Sequence, residues 1–237
     1  MGTLVDFRAW LRLDLGDPAG ASQRFGDGDL DRAVARAVAD LSLVSPREID
    51  TEHTIAVASR RVGLGGAPYA GALIDVLEVE EPYGAGGAAS EVPPALRAFR
   101  VAADRSFLSL LTGDVPAVGA VARIRWTAAH AVTVGASTVP VELDGVVAMG
   151  AAGYAMLAYS TPAADNFRYD DGATVAGVDD SMIPREWRQR AEEWLRRFRE
   201  ELERLRVRRS LSGSHWITWS EPGPAALWPL SQPGVEP

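Results

Sequence analysis

Asp27, Asp29 and Asp31 stand at the alternate spacing with which a calcium-binding loop begins. Such a loop also needs glycine at its sixth position and glutamate at its twelfth, and this chain has Arg32 and Val38 there. The three acids are therefore expected at the start of a helix, where negative charge complements the macrodipole, with Asp27 as the N-cap. His53, His130 and His215 each stand alone in their segments, and neither a His-Glu-x-x-His nor a Gly-x-Ser-x-Gly pattern occurs, so structural or surface roles are expected. Gly63-Leu64-Gly65-Gly66 would cradle phosphate only if it opened a helix; Pro68 and a further strand follow it, which predicts a hairpin loop. Asp165, Asp170, Asp171, Asp179 and Asp180 match no metal-ligand spacing and are read as solvated loop acids. Paired carboxylates for acid–base work meet in space rather than in sequence, and nothing in the chain singles out a pair. Cysteine is absent, which removes disulfides, zinc-thiolate sites and thiol nucleophiles together. The residues thus assign no catalytic group, no metal and no cofactor.

Charge is the chemistry present in quantity. All the basic residues are arginine, and the stretch 184–209 holds ten of them against six glutamates, a positive segment in a chain of formal net charge −8. Pro184 suits a first helical position, Glu186 falls in the first turn and arginines crowd the last, so the stretch is predicted to be one long helix. Trp187, Ala191, Trp194, Phe198, Leu202 and Leu205 follow at helical spacing. Four pairs, Glu186 with Arg190, Glu192 with Arg196, Glu193 with Arg197 and Glu200 with Arg204, are expected along the helix, each worth about 0.2–0.5 kcal/mol. Burying a single large apolar side chain is worth about 1.5–3 kcal/mol, so the stripe outweighs the pairs and the helix needs a surface to pack on. A net negative chain is a poor general binder of nucleic acid or anionic membrane, since both require clustered positive charge.

The elements that must carry these residues can be read in order. Thr3 with Asp6 resembles a capping box for a short helix through Leu4, Phe7, Trp10 and Leu11 that ends near Gly16. Leu30, Ala33, Val34, Ala37, Val38 and Leu41 give a second helical face that runs to Ser45-Pro46. From residue 48 to about 134 the period becomes two. Strands are expected at 51–59, 72–80, 96–102 and 105–111 and around Ala122, Ile124 and Trp126, with loops at 64–70 and 84–94. Pro140 opens a third helix whose apolar run, 146–159, is interrupted by Gly150 and Gly153; it is shorter than a bilayer requires and is expected to be a buried helix. An acidic loop spans 161–183. The proline-rich tail beyond residue 209 carries Trp216, Trp219 and Trp228, unusually aromatic for a segment with no fold of its own. With 237 residues and 47% hydrophobic content the chain can build one sizeable domain or two small ones. Neither a signal peptide nor a myristoylation motif is expected at the N-terminus.

Several local sequences together resemble the head-to-tail connector adaptors of tailed bacteriophages. They are Asp14-Leu15-Gly16-Asp17 at the end of the first helix, Phe25 ahead of Asp29-Leu30-Asp31-Arg32-Ala33, and Leu41-Ser42 closing the second helix. Val139-Pro140 then leads into a helix rich in small residues, followed by an acidic loop and a long amphipathic helix. The likeness covers most of residues 1–209 as an order of elements and carries no chemical signature. The β-rich middle is larger than in the smallest such adaptors, and the aromatic tail is longer than that pattern requires.

The resemblance implies an α+β fold: a helical bundle, made by N-terminal helices (1–47) and two C-terminal helices (138–209), with an inserted antiparallel β-rich domain (48–137) and an extended aromatic docking tail (210–237). It implies a structural virion protein of the neck and not an enzyme, assembled in the host cytoplasm as a dodecameric homo-oligomeric ring. Portal protein and a tail or tail-completion protein are the implied partners, with no cofactor and no membrane. DNA would pass through the lumen without sequence-specific binding, and an acidic wall would let it slide. Trp216, Trp219 and Trp228 are the expected anchors on the portal or a neighbour, and Trp187, Trp194, Phe198, Leu202 and Leu205 the face of an assembly helix. Another neck component such as a tail-completion protein, a metal-dependent enzyme using the loop acids, and a nucleic-acid binder using the arginine helix are the competing readings.

Overall fold

Thr3 opens the chain's first helix as the sequence predicts. Its backbone N–H donates to the Asp6 carboxylate at 2.8 Å, the Asp6 N–H returns to the Thr3 hydroxyl at 3.4 Å, and α1 runs Leu4–Asp14. Gly16, at φ 61°, lets the helix close with Asp17 N–H on Arg12 O and Gly16 N–H on Leu13 O, the paired bonds of a Schellman motif. The computed structural model describes residues 1–20, 23–84, 96–160 and 183–212. Within them lie α2 (Asp27–Val44), β1 (Arg47–Thr54), β2 (Arg61–Gly63), β3 (Leu73–Glu80), β4 (Phe99–Val101), β5 (Phe107–Leu110), β6 (Val121–Ala128), a 3-10 turn (Val141–Leu143), α3 (Asp144–Tyr159) and α4 (Ile183–Ser212). The fold is mixed α+β.

Two cores form. The helical one gathers Phe7 and Leu11 of α1, the Leu30, Val34, Ala37 and Leu41 face of α2, nearly the whole of α3, and the Ala191, Leu195, Phe198 and Leu202 stripe of α4. α3 lies in the middle, touching the other three helices. That position explains its composition, because a helix packed on several sides is apolar all round. By length and composition Val141–Tyr159 could cross a bilayer; half of that stretch is instead buried inside the protein.

The β core sits between two three-stranded antiparallel sheets, β1-β6-β3 and β2-β5-β4. Ala122, Ile124 and Trp126 of β6 point into it with Val76, Val79, Leu108 and Tyr69, while Arg123 and Arg125 face outward, the alternation that the period of two predicts. Thr127 breaks the pattern. It is buried because its hydroxyl accepts from Asp75 N–H at 3.1 Å, beside a register shift in β3. At the end of β3 two successive buried glutamates are each met by an arginine. Glu80 pairs with Arg123 at 2.6 Å, and Glu81 takes both Nε and Nη2 of Arg97, at 2.9 and 2.6 Å.

Several expectations shift. The first strand lies at Arg47–Thr54 rather than 51–59, because pairing with β6 begins as soon as α2 ends: Arg47 sits opposite Ala128 and Thr54 opposite Val121. Arg61–Gly63 is a strand, where the glycine run suggests only a loop; its single inward residue, Val62, leaves too short a pattern to read. The N-cap of α2 is Gly26, not Asp27, which is drawn away by two guanidinium groups of α1.

Candidate assembly interface

α4 is 30 residues long, about 45 Å at 1.5 Å per residue, whereas α3 has 16. The two approach closely because α3 presents glycine at the contact. A Cβ on Gly150 would lie 2.8 Å from Cε2 and Cζ of Phe198, and one on Gly153 would lie 2.8 Å from Leu195 Cγ and 3.3 Å from its backbone nitrogen. Phe198 and Leu202 of the predicted assembly face are thereby buried in the chain's own core, with Trp187, Trp194 and Leu205 packed at its margin. Leu195, 3% exposed, belongs to the same stripe and was not among the predicted residues; its spacing of four from Ala191 is the signal that identifies it.

The charges of α4 pair along the helix, with largely different partners from those expected. Glu193 with Arg197 forms as predicted, but Arg188 pairs with Glu192, Arg196 with Glu200, Arg204 with Glu201 and Arg206 with Glu203. All these side chains are well exposed, and several favourable partners lie within reach of each arginine, so sequence spacing alone cannot choose among them.

At the other end of the helical core, Trp187 meets Phe25 and Tyr159 with ring centroids 6.0 and 5.3 Å away, and Arg24 lies over the Trp187 ring at 5.9 Å. Beside this cluster α2 and α3 leave a recess of about 310 Å³. Arg24, Arg32, Arg36 and Asp29 line it with the apolar faces of Ala33, Ala155 and Ala158. Arg36 stacks on Tyr154 at 4.1 Å, and the Tyr154 hydroxyl donates to Asp40. Burial, and then that carboxylate, push the hydroxyl above its usual range.

The three calcium-like aspartates have structural partners. Asp31 accepts both ends of the Arg8 guanidinium, at 2.6 and 2.5 Å, and Asp27 accepts Arg12 at 2.6 Å, the bond that chiefly lowers its carboxyl below the ordinary range. Arg12 also reaches the buried Asp17, whose carboxylate accepts the backbone N–H of Arg24 and Phe25 at 2.6 and 3.1 Å. This clamp fixes the loop that carries Arg24 into the recess. Asp29 pairs with Arg32, at 3.6 Å.

His130 is buried where the two cores meet. Its ring nitrogens face Thr138 O at 2.9 Å and Ser45 O at 2.8 Å, while its backbone N–H donates to Ser42 Oγ at 2.9 Å. His53 lies half-buried on β1 beside Tyr69, and burial lowers its pKa. Among the described residues no group of three or more His, Asp or Glu is placed to hold a metal ion. His215, the acidic set Asp165 to Asp180, and the anchors Trp216, Trp219 and Trp228 lie outside the described residues.

The chain matches no protein-family model and no curated protein. Solved structures similar to it include chains of "Neck of empty GTA particle computed with C6 symmetry", at 21% identity, TM-score 0.28, covering 78% of this chain and 88% of that one. Another belongs to "Virion of native gene transfer agent (GTA) particle", at 22% identity, TM-score 0.28 and the same coverage. A third is from "Neck of native GTA particle computed with C12 symmetry", at 20% identity, TM-score 0.27, covering 78% and 87%. Likeness at this level transfers no function; a function can be assigned only on the chain's own residues.

Proposed function

We propose that the chain is a non-catalytic structural protein of a tailed-phage-type virion neck, a head-to-tail adaptor that docks on a portal and extends the DNA channel as a twelve-membered ring. The observation that carries this reading is the order and packing of the elements. Two N-terminal helices, a β insertion between α2 and α3, a glycine-bearing α3 and a long α4 reproduce the adaptor-like sequence order around one helical core. α4 supports an assembly role over a DNA-binding one, because five of its arginines, Arg188, Arg196, Arg197, Arg204 and Arg206, pair with its own glutamates. An exposed apolar line on α1, Val5, Ala9 and Leu13 at spacing four, supports burial against a neighbouring copy.

In this reading α4 leads the chain towards the portal, where Trp216, Trp219 and Trp228 anchor it, and a tail or tail-completion protein binds the opposite rim. Negative-stain imaging and mass photometry of the full chain, with and without portal, test it. Twelve-fold rings that bind portal, and loss of that binding on truncation after Ser212, are expected. A six-fold ring would favour a tail-completion role. A chain that stays monomeric with portal present, or portal binding unchanged by the truncation, would refute the reading.

A further inference from the structure

We propose that the recess between α2 and α3 is a docking site for an acidic peptide segment of a partner protein. Among the described residues three guanidinium groups line it against one carboxylate, Asp29, in a chain whose net charge is −8. The neighbouring arginines Arg8 and Arg12 are each held by two aspartates, whereas Arg24 and Arg36 lie over aromatic rings with no carboxylate partner among the described residues. Stacking leaves their N–H groups free to bind an anion, and a guanidinium offers carboxylates a planar, bidentate fork. Arg32 and Arg36 stand one helical turn apart on α2, so two acidic side chains spaced along a strand or a helix can engage both.

Shape and surroundings distinguish a peptide from a nucleic acid. A volume of about 310 Å³ accommodates a few side chains, and the Ala33, Ala155 and Ala158 floor accepts their apolar parts. A single-stranded nucleic acid needs a continuing basic track and open aromatic faces on which bases stack. Among the described residues the aromatic faces are not open: one face of Tyr154 is covered by Arg36, Phe198 packs near its ring, and Phe25, Tyr159 and Trp187 pack on one another. The site stands on these residues alone and does not depend on the neck reading.

Fluorescence anisotropy of the full chain with a labelled twelve-residue peptide of Asp-Asp-Ala repeats tests the proposal. Saturable binding is expected, weakened at least tenfold by the double change Arg24→Gln and Arg32→Gln. Both side chains are exposed, so circular dichroism of the variant should be unchanged. The control change Arg188→Gln on α4 should leave binding as it is, and an Asn-Asn-Ala peptide should bind at least tenfold more weakly. Absence of binding, equal binding of the two peptides, or indifference to the double change overturns the proposal. So does a twelve-residue oligothymidylate that binds more tightly than the Asp peptide. If changing Asp165, Asp170, Asp171, Asp179 and Asp180 to Asn raises the affinity for the Asp peptide, the recess serves the chain's own acidic stretch, and the partner assignment falls.

Discussion

The same substitution, glycine to alanine, should have opposite effects at three positions of α3. In a helix interior alanine is favoured over glycine by about 1 kcal/mol. At Gly145, exposed and with nothing within 4 Å of a new Cβ, most of that gain should appear as added stability, about 0.5–1 kcal/mol near a helix end. At Gly153 the Cβ would sit 2.8 Å from Leu195 Cγ and 2.9 Å from Cδ2, against the roughly 3.5–4.0 Å of ordinary carbon contacts. Relief at Leu195 is limited because its backbone nitrogen is only 3.3 Å away, so α4 itself must move outward. Overpacking of this kind costs about 1–3 kcal/mol, and with the side chain fully buried the upper half of that range applies. Less the propensity gain, Gly153→Ala should lose about 1–2 kcal/mol, and Gly150→Ala a similar or slightly smaller amount, since Phe198 can turn its ring. The double variant should lose less than the sum, because a helix already displaced accommodates the second methyl. Urea unfolding followed by far-UV circular dichroism measures all four, and unchanged m-values would show that the midpoint shifts report stability. Gly153→Ala as stable as Gly145→Ala would refute the close approach of α3 and α4.

Two further outcomes are expected from other parts of the molecule. Arg97→Met should cost more than Glu81→Gln, about 4 against about 2 kcal/mol in urea unfolding, because it strands a buried carboxylate, whereas Arg97, 20% exposed, can turn to water when its partner is neutral; the reverse ranking would show that the carboxylate is not buried. Burial lowers the folded-state pKa of His53, so the unfolded chain binds its proton first: stability is complete above the unfolded value of about 6.5 and falls as pH drops through it. His53→Gln should flatten part of that decline in unfolding midpoints taken between about pH 5 and 7.5, and an unchanged profile would remove His53 as its source.

What was legible in the sequence is what short-range physics decides. The Thr3 and Asp6 capping box, the Gly16 stop, the α2 face and the alternation along β6 each involve residues within a few positions of one another, and each forms as read. The arginine-rich helix is legible for the same reason, through its stripe. Its individual ion pairs are not, because Arg196 can reach Glu192 or Glu200 at nearly equal cost and only the rotamers decide. β2 escaped notice because three residues cannot display a period, and Gly26 took the cap because α1 and α2 compete for Asp27 in space. The recess was invisible: Arg24 lies before α2, Arg36 on it, and Tyr154 and Tyr159 on α3, more than a hundred residues later, and only the helix packing makes them neighbours.

The β part leaves and rejoins the helical part at one place, since Arg47 and Ala128, the first and last residues of their strands, are register partners. Ends a strand spacing apart, about 5 Å, can be joined by a tight turn. The insertion is therefore removable in principle: a short linker from Ser45 to the His130 region could replace some eighty residues without asking any helix to move. The same geometry frees the two parts to change at different rates, one conserving the fit of α3 against α4 while the other grows, shrinks or acquires new loops to suit whatever it meets.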